Sequence, residues 1–204
     1  MTAAPTVFLV DDDDGLREGL TQLFESAGYQ VRSCASAEAM LGAFDPQAHG
    51  CVVLDVALPG LQGPEVQREL ARLGSHLPIL FLTASADVPM AVQAIRAGAH
   101  DVLLKPARPE VLLARVAELV AADVAFVGRR EELRTLRNKL SAREREVLLL
   151  LAEGLPHKDV GERLGISFRT VEVHRSHIIQ KTGLATTLAM AEFVRAALAA
   201  KLRL

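Results

Sequence analysis

Four consecutive aspartates, Asp11 to Asp14, stand directly behind the apolar run "VFLV". Neighbouring carboxylates repel one another. Such a group is therefore either a solvated loop with Asp14 capping the next helix, or the lining of a cation site. Further along, Asp55 ends the run "CVVLD", Thr83 ends "PILFLT" and Lys105 ends "DVLLK". Carboxylates, a hydroxyl and an ammonium together suit phosphoryl transfer to a carboxylate. An aspartate such as Asp55 attacks phosphorus and becomes an acyl phosphate. A lysine and a metal neutralise the phosphoryl oxygens while the hydroxyl donates to one of them. The metal that fits one or two carboxylates plus phosphate is Mg²⁺.

For these residues to meet, the runs that carry them must lie side by side. The first half of the chain alternates short apolar runs (6–10, 29–34, 51–55, 78–83, 101–105) with amphipathic segments near 15–27, 36–44, 64–73, 88–97 and 108–122. Five strands alternating with five helices predict a parallel sheet covered on both faces. The unbroken apolarity of "VVLD" and "ILFLT" fits strands buried on both sides. Ligands of such sheets gather at the carboxyl ends of the strands, where Asp11, Asp12, Asp55, Thr83 and Lys105 all fall.

Charge divides the chain. Residues 1–123 hold 8 Lys and Arg against 16 Asp and Glu, a net of −8; residues 124–204 hold 15 against 9, a net of +6. An acidic half joined to a basic half predicts two domains with different partners. No apolar stretch reaches the roughly 18 residues that span a bilayer, and "MTAAPTVFLV" lacks the pattern of a signal peptide. Cys34 and Cys51 have no metal or disulfide spacing and read as packing residues of a reduced, cytoplasmic protein.

Beyond residue 123 only helices are expected. A charged segment over 128–140 reads as a connecting helix, followed by helices at 141–153, 157–164, 168–181 and about 185–202. Ser141 with Glu144 forms a capping box, Gly165 closes one short helix and Ser167 opens the next, which describes a helix-turn-helix. At about 100° per residue, Val171, His174 and Ile178 share a core face. Arg169, Glu172, Val173, Ser176 and Gln180 share the opposite face, suited to a major groove. There Glu accepts from cytosine, Val meets a thymine methyl and Ser reads either, while Arg169, Arg175 and Lys181 suit phosphates. The competing reading is a four-helix interaction domain with a merely solvated face. His174 and His177 lack the further ligands a zinc site needs.

Both halves resemble known families. "VDDDD", "DVALPGLQG", "TA" and "KPA" are similar to the receiver domain of two-component response regulators over residues 5–122. The resemblance implies a flavodoxin-like (βα)₅ doubly wound sheet and Asp55 as phosphoacceptor. It implies Mg²⁺ on Asp11, Asp12, Asp55 and the main-chain carbonyl of Ala57, with Asp12 a direct ligand. Thr83 matches the switch hydroxyl, Lys105 the lysine, and Pro106 its cis-proline neighbour. Two departures stand out: Val102 occupies the position of the switch aromatic, and Ala107 that of a common phenylalanine. "REREVLLLLAEGL", "RLGIS" and "RTVEVHRSHIIQKTGL" resemble the LuxR/NarL-type DNA-binding domain over about 137–202. DNA contacts are then implied for Arg169, Thr170, Glu172, Val173, Arg175, Ser176 and Lys181. His157 stands where many relatives have Asn, and Gly161 where they have Ala.

The expected organisation is a receiver over 1–123, a linker helix over 124–139 and an all-α four-helix DNA-binding domain over 140–204. The expected function is that of a FixJ-type regulator phosphorylated on Asp55 by a sensor histidine kinase. Phosphorylation, through the 88–105 face, would pair two copies on promoter half-sites. Such a protein is not an enzyme beyond its own phosphotransfer and dephosphorylation. The alternatives are a phosphorylation-independent DNA-binding regulator and, more remotely, an aspartate-nucleophile phosphatase. The latter is disfavoured by the contiguous aspartates and the lack of a lid segment.

Overall fold

The computed structural model describes residues 4–84 and 88–204, in two compact units, 1–125 and 126–204. The first contains strands β1 (Thr6–Val10), β2 (Gln30–Cys34), β3 (Gly50–Asp55), β4 (Ile79–Thr83) and β5 (Asp101–Leu104). Helices α1 (Asp14–Ser26), α2 (Ala37–Gly42), α3 (Gly63–Arg72), α4 (Val88–Arg96) and α5 (Pro109–Asn138) follow them in alternation. All strand pairs are parallel, in the order β2-β1-β3-β4-β5. The sequence therefore folds as an α/β sheet of the flavodoxin-like kind, with the β1/β3 junction as its topological switch point.

The period of two along each strand sorts the core into two layers. Phe8, Val10, Val52, Leu54 and Phe81 pack on one face with Met40, Val66 and Leu70. Val7, Leu9, Val53, Leu80 and Leu82 pack on the other with Phe24, Leu112, Val116 and Leu119. Each such side chain, fully buried, contributes about 1.5–3 kcal/mol. Cys34 and Cys51 are both free, and Cys51 belongs to the second layer. Burial, aided by the negative charge of Asp123, pushes the Cys51 thiol up to about 12, so it packs as a neutral group.

Two local expectations are corrected. The cap of α1 is Asp13, whose carboxylate accepts from Leu16 N at 3.0 Å; Asp14 is already helical and pairs with Arg17. The segments expected as separate helices over 108–122 and 128–140 form the single 30-residue α5. Nothing between them breaks a helix, and Gly128 alone is tolerated within one.

The second unit packs the end of α5 with α6 (Ala142–Ala152), α7 (His157–Leu164), α8 (Phe168–Thr182) and α9 (Thr187–Ala199). Its core holds Leu133, Val147, Leu148, Val160, Val171, Ile178, Met190 and Phe193. Gly165 turns the chain in the left-handed region at φ 64°, and Ser167 caps α8 through Thr170 N. At Gly161 the turn that leads out of α7 folds back against the helix's own backbone. Ile166 N donates to its carbonyl at 2.9 Å, and a Cβ there would lie 2.7 Å from Ile166 O. No helix among the described residues is long and apolar enough to cross a membrane.

Glu144 is 3 % exposed and fastens α6 to α8. Both its carboxylate oxygens accept from Lys181 Nζ at 2.7 Å, and Oε2 also accepts from Ser141 N at 2.7 Å. Burial raises its pKa, but the hydrogen bonds from Lys181 and Ser141 and the lysine charge outweigh that, holding it below the ordinary 4.5. A carboxylate depressed in the folded state adds stability above its unfolded pKa and loses it as pH falls through the folded one. Lys181→Met is expected to destabilise the helical unit by about 1–3 kcal/mol at neutral pH. The deficit shrinks as pH falls from about 4.5 downward. Urea unfolding across that range checks this; a deficit independent of pH contradicts it.

Candidate functional sites at the sheet rim and on helix α8

Parallel strands of matched register deliver their final residues to one edge. Asp11 follows β1 and is fully buried; Asp55 ends β3 at 7 % exposure; Thr83 ends β4 and is also buried. Lys105 follows β5, its main-chain N–H donating to Thr83 O at 2.7 Å, and the Lys105–Pro106 peptide is cis. The turn after Asp55 needs a glycine at 63, because a Cβ would lie 2.7 Å from the Phe81 ring and 3.0 Å from Asp55 O. The motif "DVALPGLQG" thus has a packing reason as well as a chemical one.

Lys105 Nζ donates to Asp11 Oδ2 and to Asp55 Oδ2, each at 2.6 Å. The remaining oxygens face backbone donors: Asp11 Oδ1 accepts from Asp13 N at 3.0 Å, Asp55 Oδ1 from Ala57 N at 3.1 Å. Arg17 donates to Asp11 O at 2.8 Å, fixing the loop from the helix side. Burial alone would push the Lys105 ammonium down. Hydrogen bonds and charges of Asp11 and Asp55 more than offset that, so its pKa is raised.

Asp11, Asp12 and Asp55 each offer a carboxylate oxygen, all within 4.8 Å of one another. Each oxygen carries two lone pairs, so the hydrogen bonds leave capacity for a cation. Three hard oxygen donors, one on the exposed Asp12, fit a magnesium ion approached from solvent. Ala57 lies in the adjoining exposed turn. Val102 is half-buried and packs against the layer containing Phe81.

On α8, Val171 and Ile178 are buried and His174 is half-buried, whereas Arg169, Glu172, Val173, Ser176 and Gln180 are exposed. Val173 is 48 % exposed, a large apolar side chain with no core to join. The other expected contacts are partly engaged within the fold. Lys181 is held by Glu144, Arg175 donates to Ala185 O at 2.9 Å, and Thr170 Oγ1 lies 2.7 Å from Ser167 Oγ. His157 opens α7 with its ring 5.6 Å from that of Phe168. The Glu144–Lys181 pair had only half a signal in the sequence, the capping box. The Arg17 contact to Asp11 had none.

The family model for the response regulator receiver domain matches residues 7–117, and that for bacterial regulatory proteins of the luxR family matches 138–193. Nodulation protein W of Bradyrhizobium diazoefficiens is 45% identical over 86% of this chain and 78% of its own length. The transcriptional regulatory protein FixJ of Azorhizobium caulinodans is 41% identical over 95% of this chain and 92% of its own. The solved structure of the response regulator StyR, 39% identical, superimposes with a TM-score of 0.66 over 95% of this chain and 99% of that one. The protein belongs to the two-component response regulators that join a receiver domain to a LuxR-type DNA-binding domain.

Proposed function

We propose that this regulator is controlled by phosphorylation of Asp55, supplied by a sensor histidine kinase in the cytoplasm. The observation that carries the reading is Lys105 Nζ bound at 2.6 Å to both Asp11 and Asp55. That ammonium is poised to follow negative charge from the carboxylate to an incoming phosphoryl group. A carboxylate oxygen of Asp55 forms the new O–P bond as the P–N bond to the donor imidazole breaks. The electron pair leaves on that nitrogen, which takes a proton from solvent. Lys105 neutralises one phosphoryl oxygen, and Thr83, buried at the end of the neighbouring strand, receives another. Asp11, Asp12, Asp55 and the Ala57 carbonyl would hold Mg²⁺, which when bound would help neutralise the charge of the transferring group.

In this reading residues 1–123 are the receiver, 124–139 the linker, formed by the second half of α5, and 140–204 the DNA-binding unit. Helix α8 enters the major groove with Glu172, Val173 and Ser176 toward base edges and Arg169 and Arg175 toward phosphates; Thr170 supports its first turn. Lys181 contributes through Glu144 rather than through DNA. Phosphorylation pairs two receivers through the α4–β5 face, where Val92, Ile95 and Leu104 are 43, 45 and 51 % exposed. Two copies then meet half-sites about one helical turn apart.

Incubation with acetyl phosphate and Mg²⁺ is expected to add one phosphoryl group by intact-mass measurement, to shift the protein toward a dimer and to raise promoter affinity. Asp55→Asn should remain unlabelled. Labelling of that variant overturns the phosphoacceptor assignment, and DNA affinity indifferent to the donor favours phosphorylation-independent binding.

Base reading makes a separate expectation. Val173→Ala and Glu172→Ala should each change the preferred operator at one or two positions, by about 1–3 kcal/mol per base pair. Arg169→Ala should weaken all sequences alike and lower the salt slope by about one. Selection from a random DNA library distinguishes them; an unchanged preference in both α8 variants rejects this helix as the reader.

A further inference from the structure

At the opposite edge of the sheet from Asp55, three residues distant in sequence converge. His49 precedes β3, His76 lies in the loop before β4, and Asp123 comes from α5. A strand of six residues at about 3.3 Å each separates the two edges of β3 by about 17 Å, so this cluster is not part of the phosphoacceptor site. His49 Nδ1 lies 3.8 Å from Asp123 Oδ2, and His76 Nε2 lies 3.1 Å from Asp123 Oδ1. One nitrogen of each imidazole and one carboxylate oxygen all fall within 4.8 Å of one another.

The Asp123 side chain is 1 % exposed, an expensive place for a carboxylate unless cationic or donor groups surround it. Its Oδ2 accepts from Gly50 N at 2.9 Å, which fixes the orientation of the group. Oδ1 accepts no hydrogen bond among the described residues although it is buried, and it faces the imidazole side of the cluster. The His49 side chain is 54 % exposed and supplies a path from solvent.

We propose that His49, His76 and Asp123 form a binding site for a divalent transition ion of the zinc class, independent of the magnesium site. Two imidazoles and a carboxylate are a common donor set for such ions, and they disfavour magnesium and calcium, which prefer oxygen alone. Bonds of about 2.0–2.1 Å in tetrahedral array keep neighbouring ligand atoms about 3.3 Å apart. His76 lies 3.1 Å from one oxygen of Asp123 and His49 3.8 Å from the other, both near that value, and the exposed His49 side chain is the one free to close on a shared ion. The Gly50 amide is the outer hydrogen bond that orients the carboxylate ligand. Three protein ligands leave a fourth position for water. The ion ties the loops before β3 and β4 to α5.

The test uses the full chain, stripped with chelator and titrated with Zn²⁺ in a large excess of Mg²⁺, which keeps the acidic rim occupied. One equivalent of tightly held zinc is expected in the wild type and in Asp55→Asn. Co²⁺ in its place should give the strong visible bands of a four-coordinate site. His49→Ala removes an exposed side chain and should leave the fold intact while weakening zinc at least about tenfold. His76→Gln and Asp123→Asn should do the same, with folding monitored by circular dichroism. Absence of a tight equivalent in the wild type, or zinc retained undiminished by His49→Ala, overturns the site.

Discussion

Two carboxylates buried on adjacent strands at one rim are the constraint around which the receiver is built. At about 4 Å and an effective dielectric near 20, two such charges repel by about 4 kcal/mol. Lys105 removes that penalty by bonding both. To do so it must be carried past Thr83 on the strand beyond β4, so the strand order, the register and the turn into α5 are all tied to a single ammonium. The same arrangement explains why so polar a centre coexists with an apolar sheet: Asp11 and Asp55 are screened from solvent yet have donors on every oxygen. A rim balanced in this way responds to any added negative group, because the lysine charge is shared rather than fixed on one partner.

Much of this was legible in the sequence because strand ends are marked sharply. An apolar run that stops on Asp, Thr or Lys gives both the element and the direction of its last side chain, and parallel order brings those ends together. The division into acidic and basic halves and the two faces of α8 were legible for a similar reason: each rests on periodicity or summed charge, which average over many residues. The cap of α1 was displaced by one, since four identical aspartates offer no chemical distinction among themselves and only backbone dihedrals select Asp13.

What was hidden depends on pairs of residues far apart along the chain. Glu144 read as one half of a capping box and Lys181 as a phosphate contact, with nothing to pair them, yet the buried Glu144 holds Lys181. His49, His76 and Asp123 share no motif, because their meeting is a product of where β3 and β4 begin and of where α5 passes. The continuity of α5 across residues 123–128 was likewise invisible, since a change in charge composition marks no break in the backbone. Val102 is different again. Its identity was plain, but a β-branched side chain half sunk into the Phe81 layer has few rotamers and cannot swing as a ring does.

The contact at Gly161 restricts what that position can hold. Because the carbonyl of Ile166 occupies the space that a methyl group would take, any larger side chain at this position would push the turn between α7 and α8 away from α7.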